Sequence, residues 1–267
     1  MKIAFIGGGN MGEAILAALL EKKLAVAKDI CVSDVNRERL DYLKKQYNVA
    51  VAGSNKEAVI GKDVIVLAVK PQTLSEVLPD LKTNLKSTQL ILSIIAGVTI
   101  GKIGQGLAHR RIVRSMPNTP ARIGCGAAGW TATAEVTKEQ KESARAILGA
   151  MGTEIYFDDE KYLDMVTAVS GSGPAYFFLL AECLIEAAVS IGLSRKDAET
   201  LVSQTMLGAA NLLTQSGRPP AELRRSVTSK GGTTEAALTV FADGGFAGLV
   251  AEAVKAAHKR AKELGNG

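Results

Sequence analysis

The segment FIGGGNMGEAI, residues 5–15, constrains the fold of this chain more than any other stretch of its sequence. Gly7, Gly9 and Gly12 have the spacing G-x-G-x-x-G, after a short apolar run and at the start of a helical pattern. The first glycine permits a tight turn, the second lets the backbone approach a pyrophosphate, and the third permits close packing of the helix. The N-terminus of the helix adds N–H groups and partial positive charge for the phosphates. Because Asp34 ends the next apolar run, this context predicts a dinucleotide site.

The first half of the chain alternates short β-branched runs with amphipathic helical segments. The runs that start at Asp63 and Leu90 are almost continuously apolar, as expected for parallel strands buried on both faces. The predicted strands are residues 2–7, 29–34, 63–69, 90–95 and 111–115. The predicted helices are residues 12–22, 37–47, 72–85 and 138–151. This alternation predicts an α/β fold with a Rossmann-type doubly wound sheet.

The second half has no strand pattern and reads as helical throughout. Its predicted helices are residues 176–191, 197–215, 234–243 and 246–264. We therefore predict two domains, an NAD(P)-binding domain at 1–157 and an all-helical dimerisation and substrate-binding domain at 158–267. The many small residues of these helices favour burial against a second copy of the chain, and a self-contained monomeric bundle is the alternative.

Composition bounds the class of protein. With 47% hydrophobic and 22% charged residues, the chain is expected to be a soluble globular protein. The basic run at 109–114 has no aromatic residues beside it, so we interpret it as a solvated strand end and expect no nucleic-acid partner. The longest apolar stretch, residues 176–193, contains Glu182 and Glu186, so we expect no membrane span and a cytoplasmic location.

Histidine and metal chemistry are both disfavoured. The two histidines, His109 and His258, lie among basic residues and away from paired carboxylates, which is typical of surface histidines. The three cysteines are widely spaced and lack a CxxC pair, which indicates a reducing compartment and no zinc site or disulfide framework. We expect no bound metal.

Asp34 leaves the form of the cofactor open. A carboxylate at this position accepts hydrogen bonds from both ribose hydroxyls and disfavours a 2′-phosphate. Arg37 and Arg39, with Ser33 and Asn36, could instead hold that phosphate. The sequence therefore predicts a nicotinamide dinucleotide, NADPH or NADH. Further loops follow successive strands at 68–71, 95–97 and 116–120, where open α/β sheets bind their ligands.

The second half supports reduction of a carbon–nitrogen double bond better than oxidation of an alcohol. A hydroxyacid dehydrogenase needs a general base, and no lysine follows the turn SGSGP before Lys196. Reduction of a cyclic imine mainly requires alignment of hydride donor and imine carbon and a seat for the substrate's anionic group. A protein that binds NADP without turnover is a third possibility.

The segment Ser229 to Thr234, SKGGTT, is a candidate binding site for the substrate's anionic group. Its order of residues excludes a P-loop, which needs Gly-Lys-Ser/Thr after a strand. Two glycines before Thr-Thr-Glu at a helix start are typical of an anion-binding nest, and an ordinary capping box between two helices is the equally supported alternative.

Several motifs together resemble the pyrroline-5-carboxylate reductase family. They are FIGGGNMGEAI, LAVKPQ, SIIAGVTI, RSMPNTPARIGCGA, AVSGSGPAYFF and SVTSKGGTTEAAL. The resemblance covers essentially the whole chain and implies NAD(P)H-dependent reduction of 1-pyrroline-5-carboxylate to L-proline, the last step of proline synthesis, by a cytoplasmic enzyme. It also implies dimers formed through the helical domain and gathered into a pentamer of dimers, in which two subunits complete each site.

The resemblance also assigns residues to roles. The cofactor is expected to contact Ile6, Gly7, Gly8, Gly9, Asn10, Met11, Gly12, Asp34, Arg37, Asn55, Ala68, Val69, Lys70, Pro71, Ile95 and Ala96. The substrate is expected to contact Glu160, Ser229, Lys230, Gly231, Gly232, Thr233 and Thr234. Thr234 is the expected catalytic residue, through a hydrogen bond to the ring nitrogen. Asp34 departs from the small hydroxyl residue that many family members carry, which leaves the family's usual NADPH preference open.

Overall fold

A computed structural model describes residues 1–266 of the chain. The strands are β1 (Ile3–Ile6), β2 (Ile30–Ser33), β3 (Ala50–Val51), β4 (Val64–Leu67), β5 (Leu90–Ser93), β6 (Ile112–Pro117), β7 (Gly126–Ala132) and β8 (Gly152–Tyr156). The first helices are α1 (Asn10–Glu21), α2 (Arg37–Tyr47), α3 (Asn55–Val59), α4 (Leu74–Lys82), α5 (Ile100–Leu107), α6 (Lys138–Gly149) and α7 (Tyr162–Val166). A π-helical turn, Thr167–Gly171, leads to α8 (Gly173–Ser190), α9 (Arg195–Ser216), α10 (Pro220–Ser226), α11 (Thr233–Asp243) and α12 (Phe246–Asn266).

The strands form one sheet in the order β3-β2-β1-β4-β5-β6-β7-β8. Neighbouring strands are parallel from β3 to β6, whereas β7 runs antiparallel to β6. In the register of the sheet, Ile6 pairs with both Ser33 and Leu67, and Leu67 pairs with Ser93. The loops that follow β1, β2, β4 and β5 therefore meet at one edge. The predicted Rossmann-type doubly wound fold is confirmed.

Alternate residues of the central strands enter two separate cores. Phe5, Val32 and Val66 belong to one core, which α1, α2 and α6 cover with residues such as Ile15 and Leu43. Ile6, Ile65, Leu67 and Ile91 belong to the other core, which α3, α4 and α5 cover. Because a strand's side chains alternate between its faces, nearly continuous apolar strands imply helices on both sides of the sheet.

Three strands and several helices lie outside the sequence prediction. Strand β7 is built of glycine and alanine around Trp130, and β8 alternates partly buried and exposed residues at the edge of the sheet, so neither carries a strong strand signal. Helix α5, IGKIGQGL, contains three glycines that disfavour a helix, yet Ile103 and Leu107 are buried in the core and stabilise it. Tertiary packing overrides local propensity in both places.

The basic run at 109–114 is not a solvated strand end throughout, because two of its members are buried. His109 is 7% exposed, and its Nε2 lies 2.8 Å from the carbonyl oxygen of Gln89. Arg114 is 4% exposed within β6. The interpretation of His109 as a surface histidine is therefore wrong, since a main-chain partner 20 residues away in sequence compensates its burial.

Contacts divide the chain into two compact units. One contains residues 1–172 and the end of α12 from Ala257, and the other contains residues 173–256. The segment after residue 157 packs in the first unit, with Leu163 and Ala168 buried. The compact units thus differ from the predicted boundary between 157 and 158, which remains a prediction about domain function.

The helical unit, residues 173–256, buries very little of its own apolar surface. Only Gly173 and Ala198 are buried among its residues, whereas Phe177, Phe178 and Leu179 are each at least 60% exposed. A helix that is apolar on all sides requires burial against other surfaces.

By length and composition alone, the run Tyr162–Ser190 is also long and apolar enough to cross a membrane.

Candidate active site

The turn between β1 and α1 has the geometry that its glycine spacing predicts. Gly7 has φ +100°, and a Cβ there would lie 2.7 Å from the carbonyl oxygen of Ala68. A Cβ at Gly12 would lie 2.6 Å from the carbonyl oxygen of Gly7, so only glycine permits this close packing. By contrast, a Cβ at Gly9 would meet no atom within 4 Å, and Gly9 and Asn10 are exposed. The second glycine thus leaves open space above the turn.

The N-terminus of α1 leaves backbone donors free at this turn. The first hydrogen bond of the helix runs from the N–H of Glu13 to the carbonyl oxygen of Gly9. Within residues 1–266, the N–H groups of Asn10, Met11 and Gly12 have no acceptor. A helix N-terminus with free N–H groups beside open space fits a pyrophosphate.

Two side chains bind the N–H and the carbonyl group of Gly8, one from Asp34 directly after β2 and one from Arg39 in α2. The N–H of Gly8 donates to Oδ2 of Asp34 at 2.7 Å, and Oδ1 of Asp34 accepts from the N–H of Asn36 at 2.9 Å. On the other side, Nε of Arg39 donates to the carbonyl oxygen of Gly8 at 2.5 Å. We call this arrangement, formed by Gly8, Asp34 and Arg39, the Gly8 clamp. It fixes the glycine turn and the Asp34 carboxylate together.

Glu13 completes the environment of Arg39. Its carboxylate accepts a hydrogen bond from Nη2 of Arg39 and also from the hydroxyls of Tyr42 and Tyr47. Burial raises the pKa of Glu13, but the hydrogen bonds from Arg39 and the two tyrosines outweigh it, and the pKa lies below its usual value. Burial and the bond to Glu13 raise the pKa of Tyr47 to about 12. Glu13 therefore stays ionised and holds the guanidinium in place.

A cleft of about 420 Å³ lies at the carboxyl end of β2, and we call it the β2 cleft. Its lining residues are Ser33, Asp34, Val35, Arg37, Leu40, Gly53, Ser54, Asn55 and Asp80. The hydroxyl of Ser33 donates to Oδ1 of Asn55 at 2.7 Å. Arg37 is largely exposed and lies 3.7 Å from Oδ1 of Asp41. Three of the predicted cofactor residues, Asp34, Arg37 and Asn55, thus line one cleft next to the glycine turn.

The other predicted cofactor loops lie at the same edge of the sheet. Ala68 and Val69 are half-buried after β4, whereas Lys70 and Pro71 are exposed. After β5, Ala96 is exposed. Ile6 and Ile95 are buried in the core, so any contact they make with a cofactor would involve their main chain. The structure brings all these loops to the edge where the glycine turn lies.

The Glu160 carboxylate binds a buried arginine of the central sheet. Its Oε1 accepts from Nη1 of Arg114 and from the N–H of Ile100, each at 2.7 Å. Asp164 adds a second carboxylate 3.7 Å from Nη2 of Arg114. The sequence prediction missed Arg114, although a charged residue inside the apolar strand IVRSM is a signal for a buried ion pair. The proposed contact of Glu160 with substrate remains a prediction.

The loop Ser229 to Thr234 does not form the capping box that the sequence left open as an alternative, because the N-cap of α11 is Gly232, which has no side chain to accept a main-chain N–H. Oε2 of Glu235, in the first turn of α11, accepts the N–H of Gly231 at 2.7 Å, one residue before the N-cap Gly232. The N–H of Gly232 donates to the carbonyl oxygen of Ser229 at 3.0 Å. These two donors are used within the chain, whereas the N–H groups of Thr233 and Thr234, at the start of α11, have no acceptor in the described residues. Of the N–H groups that the predicted anion-binding site could use in this loop, those of Thr233 and Thr234 at the helix N-terminus are therefore the ones available to a ligand.

The hydroxyl of Thr234 has no hydrogen-bond partner among residues 1–266, and the side chain is half-buried. A hydroxyl free to donate or accept beside unpaired N–H groups fits the predicted contact with a ring nitrogen. Within the same residues, no cluster of three or more His, Cys, Asp or Glu side chains could hold a metal ion.

Comparison with known proteins identifies the family. Residues 160–264 match the family model for pyrroline-5-carboxylate reductase dimerisation, and residues 2–97 match the model for NADP oxidoreductase, coenzyme F420-dependent. The chain is 46% identical over 264 residues to the pyrroline-5-carboxylate reductase of Pseudomonas aeruginosa, covering 98% of this chain and 96% of that protein. This chain belongs to the pyrroline-5-carboxylate reductase family.

Solved structures of pyrroline-5-carboxylate reductases agree with this assignment. The structure of the reductase from Coxiella burnetii has a TM-score of 0.93 and 41% identity, covering 98% of each chain. The Plasmodium falciparum reductase, solved with NADP bound, has a TM-score of 0.88 and 32% identity, covering 99% of this chain and 98% of that one. The resemblance found in the motifs is confirmed, and so is the assignment of an NAD(P)-dependent reductase. The dimerisation model supports self-association of the helical part.

Proposed function

We propose that this chain reduces 1-pyrroline-5-carboxylate to L-proline with NADH or NADPH, the final step of proline biosynthesis. The similarity to curated pyrroline-5-carboxylate reductases over 98% of the chain carries this proposal. In the reaction, a hydride from the dihydronicotinamide adds to the imine carbon and a proton adds to the nitrogen. No base is needed to remove a hydroxyl proton, which accords with the lack of a lysine after the turn SGSGP.

The cofactor is assigned to the edge of the sheet described above. The free N–H groups of Asn10 to Gly12 would hold the pyrophosphate, and the β2 cleft would receive the adenosine ribose. The loops at 68–71 and 95–96 would line the remainder of the dinucleotide. When bound, the cofactor supplies the hydride, while this chain's residues fix its position.

The substrate carboxylate is assigned to the N-terminus of α11. Thr233 and Thr234 offer unpaired N–H groups there, and Glu235 together with Ser229 fixes the loop through Gly231 and Gly232. The Thr234 hydroxyl would hydrogen-bond the ring nitrogen and so orient the imine. Lys230 is exposed and adds positive charge beside this seat. Glu160 would contact the substrate in addition to its bond with Arg114.

Self-association is needed to bury the helical unit, and we infer a dimer, gathered into a pentamer of dimers, in which two subunits complete each site. The extensive exposure of Phe177, Phe178 and Leu179 supports the dimer. The same burial would cover the apolar run Tyr162–Ser190, which contains Glu182 and Glu186, without a membrane. We therefore propose a cytoplasmic enzyme with no membrane or nucleic-acid partner.

A direct spectrophotometric assay tests the reaction. The purified chain should oxidise NADH or NADPH, followed by the loss of dihydronicotinamide absorbance, only when 1-pyrroline-5-carboxylate is present. A matched reaction with a 2-hydroxy acid and NAD⁺ or NADP⁺ should give no rate, because the alcohol oxidation lacks its base. Binding of the dinucleotide without oxidation would favour a nucleotide-sensing protein and overturn the proposal.

A further inference from the structure

The β2 cleft contains an acidic side chain that the glycine turn itself holds in place. We propose that this cleft is built for the free ribose diol, so that Asp34 makes the enzyme prefer NADH to NADPH. The inference rests on the proposed function only in that a nicotinamide dinucleotide donates the hydride. It differs from the NADP found with the Plasmodium falciparum reductase.

The Gly8 clamp prevents Asp34 from turning away from a bound nucleotide. Both carboxylate oxygens accept main-chain N–H groups, from Gly8 at 2.7 Å and from Asn36 at 2.9 Å. A carboxylate held by two main-chain donors cannot swing into solvent without leaving both of them unpaired. Each oxygen keeps a lone pair, so the carboxylate can still accept from the ribose hydroxyls.

The charges that line the cleft oppose a 2′-phosphate. Asp34 and Asp80 are both in the lining, and among the lining residues that the structure describes Arg37 is the one cation. Arg37 is exposed and already lies near Asp41. Two carboxylates against one solvated guanidinium leave the cleft with excess negative charge, which repels a phosphate but not a neutral diol.

Arg39 does not line the cleft, because its guanidinium binds the glycine turn and Glu13. Its Nε donates to the carbonyl oxygen of Gly8, and its Nη2 pairs with Glu13, which two tyrosines also bind. Release of this guanidinium toward a phosphate would break the Gly8 clamp and leave the partly buried Glu13 without its counter-charge. Arg39 therefore acts as a positioning residue for the glycine turn.

The neutral residues of the cleft suit a diol as well. The Ser33 hydroxyl donates to Oδ1 of Asn55, which leaves the amide NH₂ of Asn55 as a donor to a ribose oxygen. A ribose diol needs both hydrogen-bond acceptors and donors. The Asp34 carboxylate supplies an acceptor, and the Asn55 amide supplies a donor.

Binding to the purified full-length chain tests the proposal without any turnover. Calorimetric titration should give a Kd for NADH at least about tenfold below that for NADPH. Asp34→Asn, which removes the charge and keeps an acceptor, should strengthen NADPH binding by about tenfold or more. Glu38→Gln is the matched control, because it removes an acidic charge four residues further along the chain, in the first turn of α2 and outside the cleft lining. Its ratio of NADH to NADPH affinity should stay near that of the wild type.

Arg39→Met separates the two roles of that arginine. If it positions the glycine turn, the variant weakens both dinucleotides by a similar factor. A selective loss of NADPH binding would assign Arg39 to the 2′-phosphate and overturn the proposal, as would wild-type protein that binds NADPH as tightly as NADH. Because the titrations contain no substrate, a chain that prefers NADH but fails to reduce 1-pyrroline-5-carboxylate would contradict the proposed reaction alone.

Discussion

Arg114 and Glu160 form an ion pair that ties the segment after β8 to the central sheet. Nη1 of Arg114 lies 2.7 Å from Oε1 of Glu160, and the arginine side chain is only 5% exposed. The same carboxylate oxygen accepts the N–H of Ile100. Glu160, for which the family resemblance predicts a contact with substrate, thus compensates a buried charge.

Removal of Glu160 should lower stability. In Glu160→Ala, Arg114 would keep only Asp164 at 3.7 Å, and an uncompensated buried charge costs about 3–5 kcal/mol, which the partial exposure of Glu160 reduces to about 2 kcal/mol. Urea unfolding measures the loss. Asp159→Ala is the control, because within residues 1–266 the Asp159 carboxylate pairs only with the exposed Lys161, so the variant should change stability by less than about 1 kcal/mol. Equal losses for the two variants would contradict the structural role of Glu160.

Thr234 should affect turnover more than folding. Thr234→Ala is expected to lower kcat by about 10–100-fold, the scale of a lost positioned hydrogen bond. Thr234→Ser keeps the hydroxyl and should retain most of the rate. Thr239→Ala is a control on the same helix, since the Thr239 hydroxyl donates to the carbonyl oxygen of Glu235 and lies away from the N-terminus. An unchanged rate for Thr234→Ala would remove Thr234 from the mechanism.

Glu235 should control affinity for the substrate through the loop. Glu235→Ala removes the acceptor of the Gly231 N–H, so the loop that precedes α11 loses a fixed geometry. We expect KM for 1-pyrroline-5-carboxylate to rise by about tenfold, while the affinity for the dinucleotide is unchanged. Glu235→Gln retains an acceptor and should restore most of the affinity. If both variants behave alike, the negative charge and not the hydrogen bond is what Glu235 contributes.

The exposed apolar face of α8 should decide the oligomeric state. Phe178 is 67% exposed within the chain, and Phe178→Glu would place a charge in the surface that a second copy buries. Sedimentation should show the wild type as a dimer or larger and the variant shifted toward the monomer. Ile60→Glu is the matched control, because Ile60 is 69% exposed in the nucleotide-binding unit. A wild-type mass for Phe178→Glu would place the interface elsewhere.

The burial of His109 gives stability a dependence on pH. Burial lowers the pKa of His109, with Arg111 acting in the same direction against the hydrogen bond to Gln89. The unfolded chain therefore binds the proton more readily, so stability is complete above the unfolded pKa of about 6.5 and falls as the pH drops below it. Urea midpoints measured between about pH 7.5 and about pH 5.5 should decrease more in the wild type than in His109→Gln. Parallel decreases would exclude His109 as the titrating group.

Local sequence patterns located much of the sheet, the glycine turn and the long helices, because period, apolar runs and glycine spacing are local signals. Helix α2 begins and ends where the pattern predicts. Strand β7 and helix α5 escaped prediction, since glycine-rich segments adopt these structures only when neighbouring strands or a core stabilise them. Within the candidate site, the sequence selected the loop at 229–234, but which of its N–H groups are free depends on side chains that reach back, such as Glu235.

By itself the sequence determined the family, the Rossmann-type sheet and the edge of that sheet where a dinucleotide would bind. These follow from motifs whose residues lie close together in the chain. Only the tertiary structure decided that the Arg39 guanidinium donates hydrogen bonds to Gly8 and Glu13. It also decided that Arg114 is buried and paired with Glu160, and that His109 is buried. Each depends on partners 20 or more residues apart in sequence, and the energy of a charge or a polar ring is set by the groups that surround it after folding.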